Sequence, residues 1–342
     1  MTTAYLYSPI FLEHEETGHP ESPERLCAIM QMLKETDLLP RLVALEPTPA
    51  TDAQIGAVHS PEHLARVKSL VARGGGHFDS DTYCNSRSLD AARLAAGALV
   101  RAVDAVMNRE IESAFALVRP PGHHATPNRP MGFCLFNNIA IAAQHALTQH
   151  HLERILIVDY DVHHGNGTQD MFYNTSRVLY FSTHQYPHYP GTGDYDEIGA
   201  GEGLGFTVNV PLPPRVGDEG YQRIFDDLLF PLAERYQPQL ILVSAGYDAH
   251  WSDPLAMENL SIAGYTALAR ALIELARELC DGRIVFTLEG GYNLPALAHG
   301  VAATFRAMLG DAEISDPLGP ARFQSHDINE FVEHLKGIHR LV

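Results

Sequence analysis

The chain has 342 residues, 45% of them hydrophobic, enough for one large apolar core, and its 42 acidic against 24 basic residues give a formal charge of −18. That charge repels phosphate backbones and anionic lipid, which argues against nucleic acid or a membrane surface as a partner. No apolar stretch approaches bilayer length and MTTAYLYSPIFLEHEE lacks the regions of a secretion signal, so a soluble cytoplasmic protein is expected.

In chain order, AYLY near residue 5, AFALV from Ala114, RILIVDY from Arg154, VLYFS from Val178, FTVNV from Phe206, LILVSA from Leu240 and RIVFTLE from Arg283 read as buried strands. Helical segments lie between most of them. SPEHLARVKSLVARGGG offers Ser60 as N-cap and Pro61 at the first helical position, and SLDAARLAAGALVRAVDAVMNR offers Ser88 as cap before an Ala/Leu/Val stripe. Such alternation predicts an α/β fold, a mainly parallel sheet covered on both faces. With no repeat or flexible linker, one domain is expected over 1–342, its core at about 3–310 and a peripheral helical tail, HDINEFVEHLKGIHR, within about 311–342. Cys27, Cys84, Cys134 and Cys280 are scattered without a CxxC, which predicts reduced thiols and neither a disulfide framework nor a sulfur-ligated zinc.

Four strands run straight into polar clusters: AFALV into RPPGHHA, RILIV into DYDVHHGNG, LILVS into AGYDAHWSDP, and RIVFT into LEGGYN. Ligand sites in open parallel sheets form outside the carboxyl ends of strands, so these remote segments are expected to meet. If the backbone stays extended beyond Val158, its period of two puts Asp159, Asp161 and His163 on one side. Asp161, His163 and a third carboxylate, Asp248, would then form an open catalytic metal site suited to zinc, iron(II) or manganese. A lone Asp-x-Asp is more simply a hydrogen-bonded loop; the dense cluster is not. The adjacent His123 and His124 suit base and acid catalysis, one imidazole taking a proton from water and the other giving one to a leaving group. Tyr292, after two glycines, suits donation to a developing oxyanion.

At these residues the sequence resembles the zinc-dependent histone deacetylase superfamily, which includes bacterial deacetylase-like amidohydrolases and acetylpolyamine amidohydrolases. The resemblance runs from GHPESPERL to LEGGYN and is carried by RPPGHHA, GFCLFNN and DYDVHHGNGTQ in that order. It implies an arginase-like α/β fold with a central sheet of about eight strands and the active site at their C-terminal ends. It further implies one Zn2+ per chain, with Fe2+ an alternative, on Asp161, His163 and Asp248, the tandem histidines His123 and His124, and Tyr292 as the carbonyl-polarising hydroxyl. Asp159 matches the carboxylate that orients His123, whereas the matching position for His124 holds Asn166, as in the class II branch. The missing charge predicts that His124 stays neutral more readily, as general base, while His123 is cationic.

By the same resemblance, Phe133 and Tyr189 are the aromatic walls of a channel that Gly132 keeps open, Asp81 is a rim carboxylate for substrate amides, and Leu255 occupies a gatekeeper position that is acidic in some acetylpolyamine-specific relatives. A structural K+ or Na+ is implied at Asp159, Asp161, His163, Ser182 and Thr183, with a second near Phe172, Thr175 and Val178. The expected substrate is an acetylated lysine of a peptide or protein, favoured by Leu255 and a compact first loop, or an acetylated small amine; a homo-oligomer is compatible with this. A non-catalytic acetyl-lysine binder would be expected to lack a ligand or the tyrosine. An arginase-like dimanganese hydrolase would need an Asp-x-His-x-Asp order that DYDVHH does not supply.

Overall fold

The computed structural model describes residues 2–341. In chain order these form β1 (Thr3–Leu6), α1 (Pro23–Glu35), β2 (Val43–Ala44), α2 (Asp52–Ile55), α3 (Pro61–Ala72), β3 (Gly75–His77), β4 (Tyr83–Asn85), α4 (Ser88–Met107), β5 (Ser113–Ala116), α5 (Asn138–Gln149), β6 (Ile155–Asp159), α6 (Asn166–Phe172) and β7 (Val178–Gln185). There follow β8 (Thr207–Leu212), α7 (Asp218–Ile224), α8 (Phe230–Tyr236), β9 (Leu240–Ala245), α9 (Ile262–Cys280), β10 (Ile284–Leu288), α10 (Leu294–Met308) and α11 (Asn329–Ile338).

Eight strands make one sheet in the order β2-β1-β5-β10-β9-β6-β7-β8, and its paired strands are parallel throughout. This is the expected architecture. Every residue of β5, β6, β7, β8, β9 and β10 is buried, as Ile/Leu/Val-rich strands covered on both faces require. Around the sheet, α9 packs on α10, α10 on α1, and α4 on α5. A smaller apolar cluster that includes Ile55, Leu64, Val67, Ala96, Val100 and Phe136 joins α2 and α3 to α4 and α5. Among the described residues no helix is long and apolar enough to cross a membrane, and the four cysteines are free.

The strands β9 and β10 come late in the chain yet insert between β5 and β6, so the four strands that end in polar clusters are neighbours. Their register aligns their ends. Asp159 stands opposite Ser182 and Ser244, and Thr287 opposite Ser244 and Ala116.

Ser60 caps α3 as expected, its side chain accepting from His63 N. Ser88 does not cap α4: Arg87 precedes the helix, and Ser88 Oγ accepts instead from Asn85 N at 2.8 Å and lies 2.7 Å from His14 Nδ1. The tail helix α11 buries Val332 and Leu335 and contacts α7, with Arg223 Nη2 3.0 Å from Glu333 Oε1.

Candidate active site

The donor atoms of Asp161, His163 and Asp248 all lie within 4.8 Å of one another, and all three residues are buried. The backbone premise for this cluster needs correction: β6 ends at Asp159, and residues 161–163 form a bend rather than extended strand. The bend is held by carboxylates, two nearby in sequence and one from the segment after β9. Asp159 Oδ1 accepts from Asp161 N at 3.2 Å, Asp161 Oδ1 from His163 N at 2.9 Å, and Asp248 Oδ1 from Val162 N at 3.0 Å.

His163 Nδ1 lies 3.1 Å from Asp161 Oδ1 and 3.2 Å from Asp248 Oδ2. Asp161 Oδ2 accepts from Gly290 N at 2.7 Å, whereas Asp248 Oδ2 is buried without a hydrogen bond. The backbone approaches closely here because residue 290 is glycine: a Cβ would sit 2.0 Å from Asp248 Oδ2 and 2.6 Å from Asp161 Oδ2. Burial pulls His163 down, yet Asp161 and Asp248 outweigh it and push its pKa up to about 10. The locus thus attracts positive charge, and an imidazole with two carboxylates, one of which keeps a buried oxygen without a hydrogen bond, fits a dication with open coordination positions.

The loop after β5 brings both tandem histidines beside this cluster, their rings 4.0 Å apart. His123 Nδ1 lies 3.1 Å from Asp159 Oδ2, which also accepts from Tyr180 Oη at 3.1 Å, and His123 Nε2 lies 3.9 Å from Asp161 Oδ1. Burial lowers the His123 pKa, but Asp159, Asp161 and Glu289 together raise it to about 10. His124 Nδ1 lies 2.9 Å from Asn166 Oδ1, an uncharged acceptor. Burial and then the charges of His123 and His163 take its pKa well below the ordinary imidazole value. The two neighbouring imidazoles are therefore shifted in opposite directions. With the Asn166 amide oxygen toward Nδ1, that nitrogen carries the proton and Nε2 has a free lone pair.

Burial pushes the Tyr292 hydroxyl pKa well above its ordinary value, so it remains a neutral donor. Its loop is anchored from two sides. Asp253 Oδ2 accepts from Tyr292 N at 2.7 Å and Asn293 N at 3.0 Å, while Arg25 donates from Nε to Gly291 O at 2.8 Å and places Cζ 5.1 Å from the Tyr292 ring centroid. Arg25 is buried with Glu21 and Arg119; Glu21 Oε1 lies 3.0 Å from Arg25 Nη1, and Glu21 Oε2 lies 2.8 Å from Arg119 Nη2. Burial disfavours the Glu21 carboxylate, but Arg119 and Arg25 outweigh it and bring its pKa down to about 2.

Phe133 packs edge-on against Tyr292 at 5.9 Å and His19 at 4.6 Å, and Tyr189 packs edge-on against His124 at 5.1 Å. The two aromatic side chains therefore flank different catalytic candidates. Gly132, at φ +56°, faces His124 directly: a Cβ would meet the ring at 2.4 Å, so its smallness seats the histidine. Asp81 is half-buried and is linked to Phe133 through Thr82, whose Oγ1 donates to Asp81 Oδ1 at 3.4 Å and accepts from Phe133 N at 3.2 Å. Leu255, also half-buried, accepts at its carbonyl from His188 Nε2 at 3.0 Å, and His188 stacks on His163 at 5.2 Å. Near the bend, Ser182 Oγ lies 2.9 Å from His184 Nδ1 and the buried Thr183 hydroxyl has no hydrogen bond. Phe172 O accepts from Thr175 N at 3.2 Å in the turn leading to Val178, where β7 begins.

Residue-by-residue reading missed Glu289, Asp253, Arg25 and His188. Glu289 Oε2 accepts from Gly122 N at 2.7 Å and His123 N at 3.2 Å, thereby tying the histidine loop to β10. Its position in LEGGYN, between a strand and two glycines, was the available signal. Burial raises its pKa to about 7, with the His123 charge opposing.

The family model described as the histone deacetylase domain matches residues 19–308. A protein of Archaeoglobus fulgidus named "Probable deacetylase" is 44% identical over 314 residues, covering 91% of this chain and 87% of that one. A human protein named "Polyamine deacetylase HDAC10" is 41% identical over 317 residues, covering 88% of this chain and 47% of that protein. Among solved structures, the crystal structure of the HDA15 HD domain matches with a TM-score of 0.91 at 36% identity, covering 99% of this chain and 94% of that one.

Proposed function

The chain belongs to the histone deacetylase family and is a deacetylase, and we propose that it hydrolyses acetyl-lysine-like amides with water activated at one divalent cation. Asp161, His163 and Asp248 would hold zinc or iron(II), which when bound supplies carbonyl polarisation and a more acidic water. His124 Nε2 accepts the proton of the attacking water. Tyr292 donates its hydroxyl hydrogen bond to the oxyanion, and His123, kept cationic by Asp159, returns a proton to the departing amine as the C–N bond breaks. A potassium or sodium ion at Asp159, Asp161, His163, Ser182 and Thr183 would stiffen the bend, and one near Phe172, Thr175 and Val178 its flank.

The convergence of three buried donors, one of them unsatisfied, beside a cationic and a neutral histidine carries this reading. For the substrate, the apolar Leu255 side chain at the rim supports an acetyl-lysine stem over an acetylated polyamine, whose second cation would gain from an acidic partner. The test is a turnover panel of acetyl-lysine peptides, longer acyl-lysines and acetylpolyamines on metal-depleted protein refilled with zinc or iron(II). We expect acetyl-lysine peptides to turn over fastest and only after refilling. Faster turnover of acetylpolyamines would overturn the substrate assignment, and full turnover by the metal-free protein would overturn the mechanism.

A further inference from the structure

A second set of metal-competent donors lies at the other end of the sheet. Asp104 is near the C-terminus of α4, His145 is on α5, and His150 is the residue that caps α5. These helices end just before β5 and β6 begin, so the cluster lies by the N-terminal ends of the strands, whereas the catalytic cluster lies at their C-terminal ends.

His145 Nε2 and His150 Nε2 each approach the same oxygen, Asp104 Oδ1, at 2.7 Å. An ion-paired helix staple needs one such contact. Two ring nitrogens and a carboxylate oxygen aimed at one locus, with all three donor atoms within 4.8 Å of each other, instead describe part of a coordination shell.

The backbone contributes to this convergence. On a continuing helix, positions five apart point about 140° away from each other. His150 is the residue just past α5, at φ −98°, and its ring nonetheless lies 5.7 Å from that of His145, at an interplanar angle of 71°. The side chains of Asp104, His145 and His150 are 36%, 11% and 17% exposed, so a solute ion can reach them.

We propose that Asp104, His145 and His150 form a second metal site, structural rather than catalytic, that takes a zinc-class transition-metal dication and cross-links α4 to α5. The two imidazoles and one carboxylate suit zinc, nickel or copper over magnesium, which prefers an all-oxygen shell. Each histidine then ligates as a neutral imidazole, its proton on Nδ1 and its Nε2 lone pair on the metal, and water takes the remaining positions.

The test is zinc titration of the full chain, read by native mass spectrometry and thermal unfolding, for wild type and for His145→Gln and His150→Gln separately. Wild type should bind one zinc more than either variant, and that last equivalent should raise its Tm while leaving the variants' Tm unchanged. Deacetylase turnover should match in all three, and excess magnesium should not reproduce the Tm shift. The readout is a difference of one equivalent, so it is independent of occupancy at Asp161, His163 and Asp248. Equal stoichiometry in wild type and a folded variant would overturn the proposal, as would a wild type that binds no zinc beyond the catalytic equivalent. The two substitutions lie on different sides of the helix end, so misfolding of one leaves the other informative.

Discussion

The floor and the rim of the candidate active site are built differently. On the floor, Asp159, Asp161, His163, Asp248, His123, His124 and Glu289 are buried, follow four adjacent strands, and are interlocked by hydrogen bonds between segments remote in sequence. At the rim, Asp81, His188 and Leu255 are half-buried loop residues and Tyr189 is 36% exposed. A parallel sheet transmits its rigidity to whatever follows its strand ends, so a displaced floor residue disturbs several partners at once. Rim residues have fewer shared partners.

This contrast predicts large effects on turnover from the floor and modest effects on selectivity from the rim. Tyr292→Phe removes the hydroxyl and keeps the ring against Phe133 and Arg25; kcat should fall by about 10²–10³-fold with metal content unchanged, read by steady-state kinetics beside metal analysis. Asp253→Ala releases the backbone N–H groups of Tyr292 and Asn293, and the misplaced hydroxyl should lower kcat by about tenfold to a hundredfold with little change in KM. An equal loss in a Tyr292→Phe background would show that Asp253 acts elsewhere.

Asn166→Asp places a carboxylate where His124 Nδ1 now meets an amide oxygen. The negative charge stabilises the imidazolium and raises the His124 pKa, so the neutral base is available only above a higher pH. The acidic limb of the pH–rate profile should therefore move up by about one unit. At the rim, Leu255→Glu should shift the kcat/KM ratio toward acetylpolyamines by about fivefold, the scale of one exposed charge pair. If that substitution instead abolished turnover of both substrates, the separation of floor from rim would fail.

Much of the floor was legible because its signals are local. Buried parallel strands read as apolar runs, and a run that ends in RPPGHHA or DYDVHHGNG marks itself. The adjacency of β5, β10, β9 and β6 was an inference from fold type, since nothing in FTVNV or LILVSA says that the chain returns from the sheet edge to its centre. The bend at 161–163 was missed because side-chain-to-backbone bonds, including one from Val162 to Asp248, override the alternation that periodicity assumes. Glu289, Asp253 and Arg25 stayed hidden for the same reason: their partners lie far along the chain. Ser88 was misread because tertiary partners, His14 and Asn85, claim the hydroxyl that a local rule assigns to the helix end.

In the proposed mechanism, turnover depends on a cation held by Asp161, His163 and Asp248. Its most direct test is to strip the protein with a chelator, refill it with zinc, and measure deacetylation of an acetyl-lysine peptide by wild type and by Asp161→Asn. Stripped wild type should be inactive and regain turnover on refilling, while Asp161→Asn should stay at background at the same zinc concentration. Undiminished turnover by the stripped protein, or full recovery by the variant, would contradict it.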